Sequence, residues 1–151
     1  MAAQTGSKFL LAVPLPARVL GGAGLLPFVI GALAMRFAPE IKPDVAQALL
    51  IYGAVTLSFV GGMRWGFAVL EDKGERWGGY GLSVAPALVA WLGAAGGGPG
   101  GLLVLAVGLG LWFAAERASP PSLALPGWYF PYRGALTLIA AASLAAAAFY
   151  W

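Results

Sequence analysis

Residues 45–70 read VAQALLIYGAVTLSFVGGMRWGFAVL, an apolar run longer than the ~20 residues that a helix needs to cross a bilayer. Similar runs cover about 18–37, 79–95, 101–115 and 132–151. Together they occupy most of a 151-residue chain that is 60% hydrophobic and 10% charged, with a mean hydropathy of +0.83. A water-soluble domain of this size has no use for so much apolar surface. The expectation is an all-α membrane protein: a single integral membrane domain over 1–151, built as a five-transmembrane-helix bundle with short loops. A soluble catalytic domain has no room, so any function sits within the membrane or in the connections.

Those connections carry the helix breakers. APEIKPD (38–44) holds two prolines and several charges, EDKGERWGG (71–79) is the most charged stretch, GGGPGG (96–101) is a tight turn, and ASPPSLALPGWYFP (118–131) is rich in proline. No internal repeat is visible, and an odd number of spans argues against two equal inverted halves.

Five spans put the termini on opposite sides, and basic residues set the direction. Lys8, Arg18, Lys73, Arg76, Arg117 and Arg133 fall on one side, Arg36 and Lys42 on the other. The positive-inside rule then predicts a cytoplasmic N-terminus and a periplasmic C-terminus in a bacterial inner membrane. Trp77, Tyr80, Trp128, Tyr129 and Tyr132 are expected at the inner interface, where amphipathic rings prefer to lie. Lys8 and Arg18 ahead of an apolar run ending in ALA (32–34) resemble a secretory signal. A first span retained in the membrane is the expectation.

The chain has no cysteine and no histidine, which excludes disulfides, Cys/His metal sites, thiolate chemistry and a histidine base. Ser58, Ser83 and Ser143 therefore lack a histidine partner, and no glycine-rich segment follows a strand as a nucleotide loop would. No enzyme activity, no cofactor and no metal site is expected. The net charge of +3 is spread over several loops rather than gathered into a patch, so nucleic acid is not an expected partner.

One ionisable residue lies inside a span. Arg64 stands six residues before the inner end of span two, roughly 9 Å below the interface at ~1.5 Å per residue. Three readings are open. Arg64 snorkels to the headgroups, it binds an anionic headgroup or substrate, or it clamps neighbouring backbone. For the clamp, Pro27 and Pro86 each remove a helical donor and free the carbonyls of Ala23 and Leu82 at similar depth. A guanidinium with five donors could bridge them, with Glu116 as balancing charge. Glu116 could instead be interfacial and paired with Arg117. On the same helix Ala54, Ser58, Gly62 and Gly66 recur every fourth residue, a small-residue stripe suited either to packing within the bundle or to docking on another protein. Trp65 beside it reads as a packing or interface residue.

LGGAGLLPFVIGAL (20–33), YGAVTLSFVGGMRWGFAV (52–69), APALVAWL (85–92) and LPGWYFPYRGALTLI (125–139) together resemble domain-of-unknown-function family 3429. That resemblance implies a small multi-pass protein of bacterial and mitochondrial inner membranes with no assigned activity. Many members carry histidine where this chain has Arg64, so a hydrogen-bonding cation suits the position better than a metal or proton role. The expected function is that of an accessory, assembly or stabilising subunit beside a larger complex, such as a respiratory or photosynthetic one. Its partners would be the lipid bilayer and other integral membrane proteins. The alternative is a binder or carrier of a small lipid-like or anionic ligand near Arg64.

Overall fold

The computed structural model describes residues 12–71 and 77–151. Lys8, Lys73 and Arg76, used above to orient the chain, lie outside them. Five long helices follow in order: α1 (Leu15–Phe37), α2 (Lys42–Glu71), α3 (Trp77–Gly96), α4 (Gly98–Ala118) and α5 (Tyr129–Phe149). A single 3-10 turn, Pro39–Ile41, joins α1 to α2. All five are long and apolar enough to span a membrane.

The boundaries follow from local chemistry. Pro39 stops α1 because the residue before a proline is pushed out of the helical region. Pro43 is tolerated in the first turn of α2, where its missing N–H has no helical acceptor to lose, and Asp44 complements the positive end of the helix. Gly97 and Gly98, at φ of 61° and 60°, make the α3–α4 turn. L side chains rarely adopt that backbone, so two glycines permit the tightest connection in the chain. Helix α4 runs to Ala118, three residues past the expected end, and stops ahead of Pro120. Helix α5 starts at Tyr129 rather than Tyr132, because Pro131 falls in its first turn.

The helices close into a ring in which each packs on its sequence neighbours and α1 meets α5, while α2 also touches α4 and α5. Helix α2 is the most buried of the five. The core gathers Phe28, Met35, Leu57, Leu105, Leu109 and Leu144, whereas large apolar side chains such as Leu20, Phe59, Trp91, Leu111 and Leu138 cover the outside. Apolar surface exposed all round the bundle is what a hydrocarbon environment demands and water penalises.

Two close approaches set the spacing of the helices. A Cβ at Gly61 of α2 would stand 2.8 Å from the Cβ of Pro86 on α3 and 3.1 Å from the Ser83 carbonyl. A Cβ at Gly101 of α4 would collide with the Gly93 carbonyl of α3. Pro86 is thus a buried packing residue, while Pro27 of α1 lies on the exposed side. Three aromatic donors stitch helix to helix. Tyr52 donates to the Gly24 carbonyl (3.0 Å), Trp112 Nε1 to the Val60 carbonyl (3.3 Å), and Tyr132 to the carbonyls of Ala17 (3.0 Å) and Arg18 (3.2 Å). Each places the one polar atom of a large ring on a helix oxygen, which keeps it satisfied away from water.

Candidate functional site

The starts of α1, α3 and α5 and the ends of α2 and α4 lie together at one end of the bundle, and most of the polar side chains lie there too. The aromatic residues expected at the inner interface belong to it. Trp128 stacks near Tyr129 and Tyr132 at centroid distances of 6.3 and 6.4 Å, and Trp65 meets Tyr80 edge-on at 5.0 Å. Trp65 is half exposed, so it serves as an interfacial ring rather than a core residue.

Arg64 is half-buried and points to the end of α4. Its Nη1 donates to the Ser119 carbonyl at 2.6 Å, with a longer contact of 3.5 Å from Nη2 to Ser119 Oγ. Ser119 caps the C-terminus of α4, where the last carbonyls lack helical donors and carry the negative end of the dipole. The acceptor therefore differs from the proline-freed carbonyls of Ala23 and Leu82. Those two residues are exposed on the outer faces of α1 and α3, whereas Arg64 faces α4. Two turns further along α2, Glu71 Oε1 accepts from the Ser122 backbone N–H. The two contacts hold the α4–α5 connection against the end of α2. Replacing Arg64 by Met should lower stability by about 1 kcal/mol, as expected for one hydrogen bond at a partly solvated site. Thermal unfolding in detergent measures this, with Arg117→Met as a control for lost charge.

Glu116 is neither interfacial nor paired with Arg117. It is 5% exposed, and its Oε2 lies 3.5 Å from Arg133 Nη2 on α5. Consecutive residues on a helix point about 100° apart, so Glu116 faces into the bundle while Arg117 turns out. There the Arg117 guanidinium sits 5.1 Å over the Phe130 ring. Arg133, 11% exposed, also donates from Nη1 to Thr137 Oγ1 at 2.7 Å. Arg64 is within electrostatic reach of the same carboxylate. The buried ion pair is thus Glu116–Arg133. Sequence reasoning counted Arg133 only as a marker of orientation. The signal for its role is present in hindsight: opposite charges at matching depths on two consecutive antiparallel helices, with a threonine one turn beyond the arginine.

The small-residue stripe divides. Ala54 packs beside the core and Ser58 is half-buried, but a Cβ added at Gly62 or Gly66 would meet nothing within 4 Å. The buried face of α2 runs instead through Gly53, Leu57, Val60 and Gly61, rotated by one residue, so the two glycines open outward. Among the described residues no group of acids, histidines or cysteines could hold a metal ion.

A cavity of about 460 Å³ lies among α1, α2 and α5, with Tyr129, Tyr132, Arg133 and Thr137 at one end and Leu25, Phe28 and Met63 along its walls. A second, of about 480 Å³, is an apolar groove between α3 and α4 lined by Pro86, Val89, Val104 and Leu111. A third, of about 260 Å³, lies at the opposite end of the bundle beside Lys42, Gln47 and Trp151. Arg64 lines none of the three.

Five apolar helices with charge confined to their ends, to Arg64 and to one buried pair define a multi-pass integral membrane protein. The family model described as "Protein of unknown function (DUF3429)" matches residues 13–149, and the chain belongs to that family. Transmembrane protein 69 of Xenopus tropicalis is 38% identical over 141 residues, covering 91% of this chain and 55% of the relative. Transmembrane protein 69 of Mus musculus is 32% identical over 142 residues, covering 87% of this chain and 55% of the relative. The chain thus spans about half the length of these curated relatives. No solved structure matches it.

Proposed function

We propose that this protein is a non-catalytic accessory, assembly or stabilising subunit of a larger complex in a bacterial inner membrane, with its N-terminus in the cytoplasm. The observation that carries this reading is the outward face of α2. Gly62 and Gly66 form a smooth strip one turn apart that its own bundle leaves uncovered, which suits the close approach of a second protein's helix. Several polar residues of the inner end serve structure. Arg64 caps α4, Glu71 holds the α4–α5 connection, and Tyr132 ties α5 to α1. Among the described residues no acid, base and nucleophile converge on a common point there. Orientation rests on Arg18, Arg64, Arg117 and Arg133 at the proposed cytoplasmic end, against Arg36 and Lys42 at the other.

The chain has no native cysteine, so Gly62→Cys offers a single crosslinking point. In gently solubilised native membranes it should yield one defined heavier adduct, of the same mass as the band with which the wild-type chain co-migrates on native gels. Gly66→Leu should abolish both while shifting the melting of the isolated chain by no more than about 0.5 kcal/mol. Migration of the isolated chain alone, at ordinary expression levels, would refute the reading. We favour this reading over a ligand bound near Arg64, whose Nη1 is engaged by the Ser119 carbonyl.

A further inference from the structure

We infer that the cavity among α1, α2 and α5 binds a single-chain amphiphile whose head is an anionic oxygen acceptor, such as a carboxylate, received by Arg133 and Tyr129. This goes beyond the accessory reading and does not depend on it.

The polar end of the cavity holds donors that the bundle leaves unused. Arg133 spends Nη1 on Thr137 and Nη2 on Glu116, but its buried Nε has no hydrogen-bond partner among the described residues. The buried Tyr129 hydroxyl interacts with Arg133, which can only donate, so its own O–H proton has no acceptor among the described residues. Buried polar atoms are rarely left so, and each one without a partner calls for an explanation. Residues 129 and 133 are four apart on α5, so their side chains share one face. Both line the cavity. Two donors converging from one helix face suit a single oxygen-bearing head, and a guanidinium matches the planar geometry of a carboxylate.

Charge selects the sign of that head. Among the described residues at this end, Arg18, Arg64, Arg117 and Arg133 outnumber Glu71 and Glu116 by four to two. Once Arg133 is matched with Glu116, positive charge remains, and the buried Nε of Arg18 is also without a partner among the described residues. A cation would be repelled, whereas an anion completes the balance.

The rest of the cavity selects the tail. Away from that end its walls are apolar apart from Thr56 and from Tyr52, whose hydroxyl is taken by the Gly24 carbonyl, and about 460 Å³ falls within the range of small-molecule sites. Leu20 and Phe59 both line the cavity and are 72% and 69% exposed, so it opens sideways to where acyl chains lie. An amphiphile can enter from the bilayer with its head already at the depth of Arg133.

The test uses the full chain purified in detergent and a palmitate bearing a photoreactive diazirine on its chain. Saturable labelling should map to cavity-lining positions of α1 and α5 and be competed by palmitate but not by hexadecanol. Gly24→Leu adds bulk at a cavity-lining position where a Cβ meets only the Tyr52 hydroxyl at 3.8 Å, and should abolish the label. Gly22→Leu, where a Cβ meets nothing within 4 Å, should leave it intact. Tyr129→Phe should weaken binding about tenfold, the effect of one hydrogen bond to a charged group, with the melting temperature of the unliganded protein unchanged. A diazirine phosphatidylglycerol separates the two sources of an anionic chain: labelling of the same positions by it points to bilayer lipid, and labelling by palmitate alone to a free acid. Unsaturable labelling confined to outer faces, or a Gly24→Leu variant labelled like the wild type, would overturn the site. Equal competition by hexadecanol would overturn the anionic head.

Discussion

Glu116→Leu should destabilise the bundle by about 3–5 kcal/mol, while the double variant Glu116→Leu with Arg133→Leu should regain most of that loss. Both expectations follow from burial. Side chains 5% and 11% exposed are beyond the reach of the solvent screening that makes surface pairs nearly worthless. Removing the carboxylate alone strands a guanidinium with only Thr137 as partner, and an unpaired buried charge is the costly state. Removing both replaces two desolvated ions by apolar volume, which is often neutral. Unfolding of the purified protein in detergent, followed by tryptophan fluorescence, supplies the double-mutant cycle. A double variant as unstable as the sum of the two singles would show that the pair is not coupled.

Gly101→Ala is the second large effect. Most glycines of this chain stand next to open space or flexible side chains, but the Cβ of an alanine here would run into the Gly93 carbonyl. Backbone cannot rotate away as a side chain can, so α3 and α4 must separate, with an overpacking cost of about 1–3 kcal/mol. The adjacent Gly100→Ala meets nothing within 4 Å and should change stability by no more than about 0.5 kcal/mol. Melting temperatures of the two variants, measured side by side, read the difference directly. Similar melting of both would mean that α3 and α4 do not approach each other as described.

The five spans were legible because the bilayer imposes one requirement that the sequence satisfies openly: about twenty apolar residues per crossing. The expected boundaries fall inside the observed ones where a proline or charge interrupts the apolar run. Pro131 and Glu116 both proved to be inside helices, the first because the N–H groups of a helix's opening turn have no helical acceptor, so a proline there forfeits no hydrogen bond. The second is inside because Arg133 compensates its charge. The polar cluster at the Arg64 end of the bundle was partly legible. Arg64 stood out by its depth, but which oxygen it meets depends on how far α4 extends and which way α2 is rotated. Neither is written in hydropathy. The same rotation decides that Gly61 packs while Gly62 does not, a difference of about 100° that a four-residue periodicity cannot fix by itself. Arg133 was hidden by its place near a span end, where basic residues commonly serve only to orient the chain.

The account rests on all five helices crossing the bilayer, and the absence of native cysteine makes that directly measurable. Single cysteines at Glu40, Gly100 and Gly127, all exposed at the ends of the bundle, can be labelled in sealed membrane vesicles by an impermeant maleimide. Glu40 lies between α1 and α2, Gly100 at the start of α4, and Gly127 between α4 and α5. The account predicts labelling at Glu40 and Gly100 from one side and at Gly127 only from the other, with Gly127 facing the cytoplasm. Labelling of all three from the same side would contradict it.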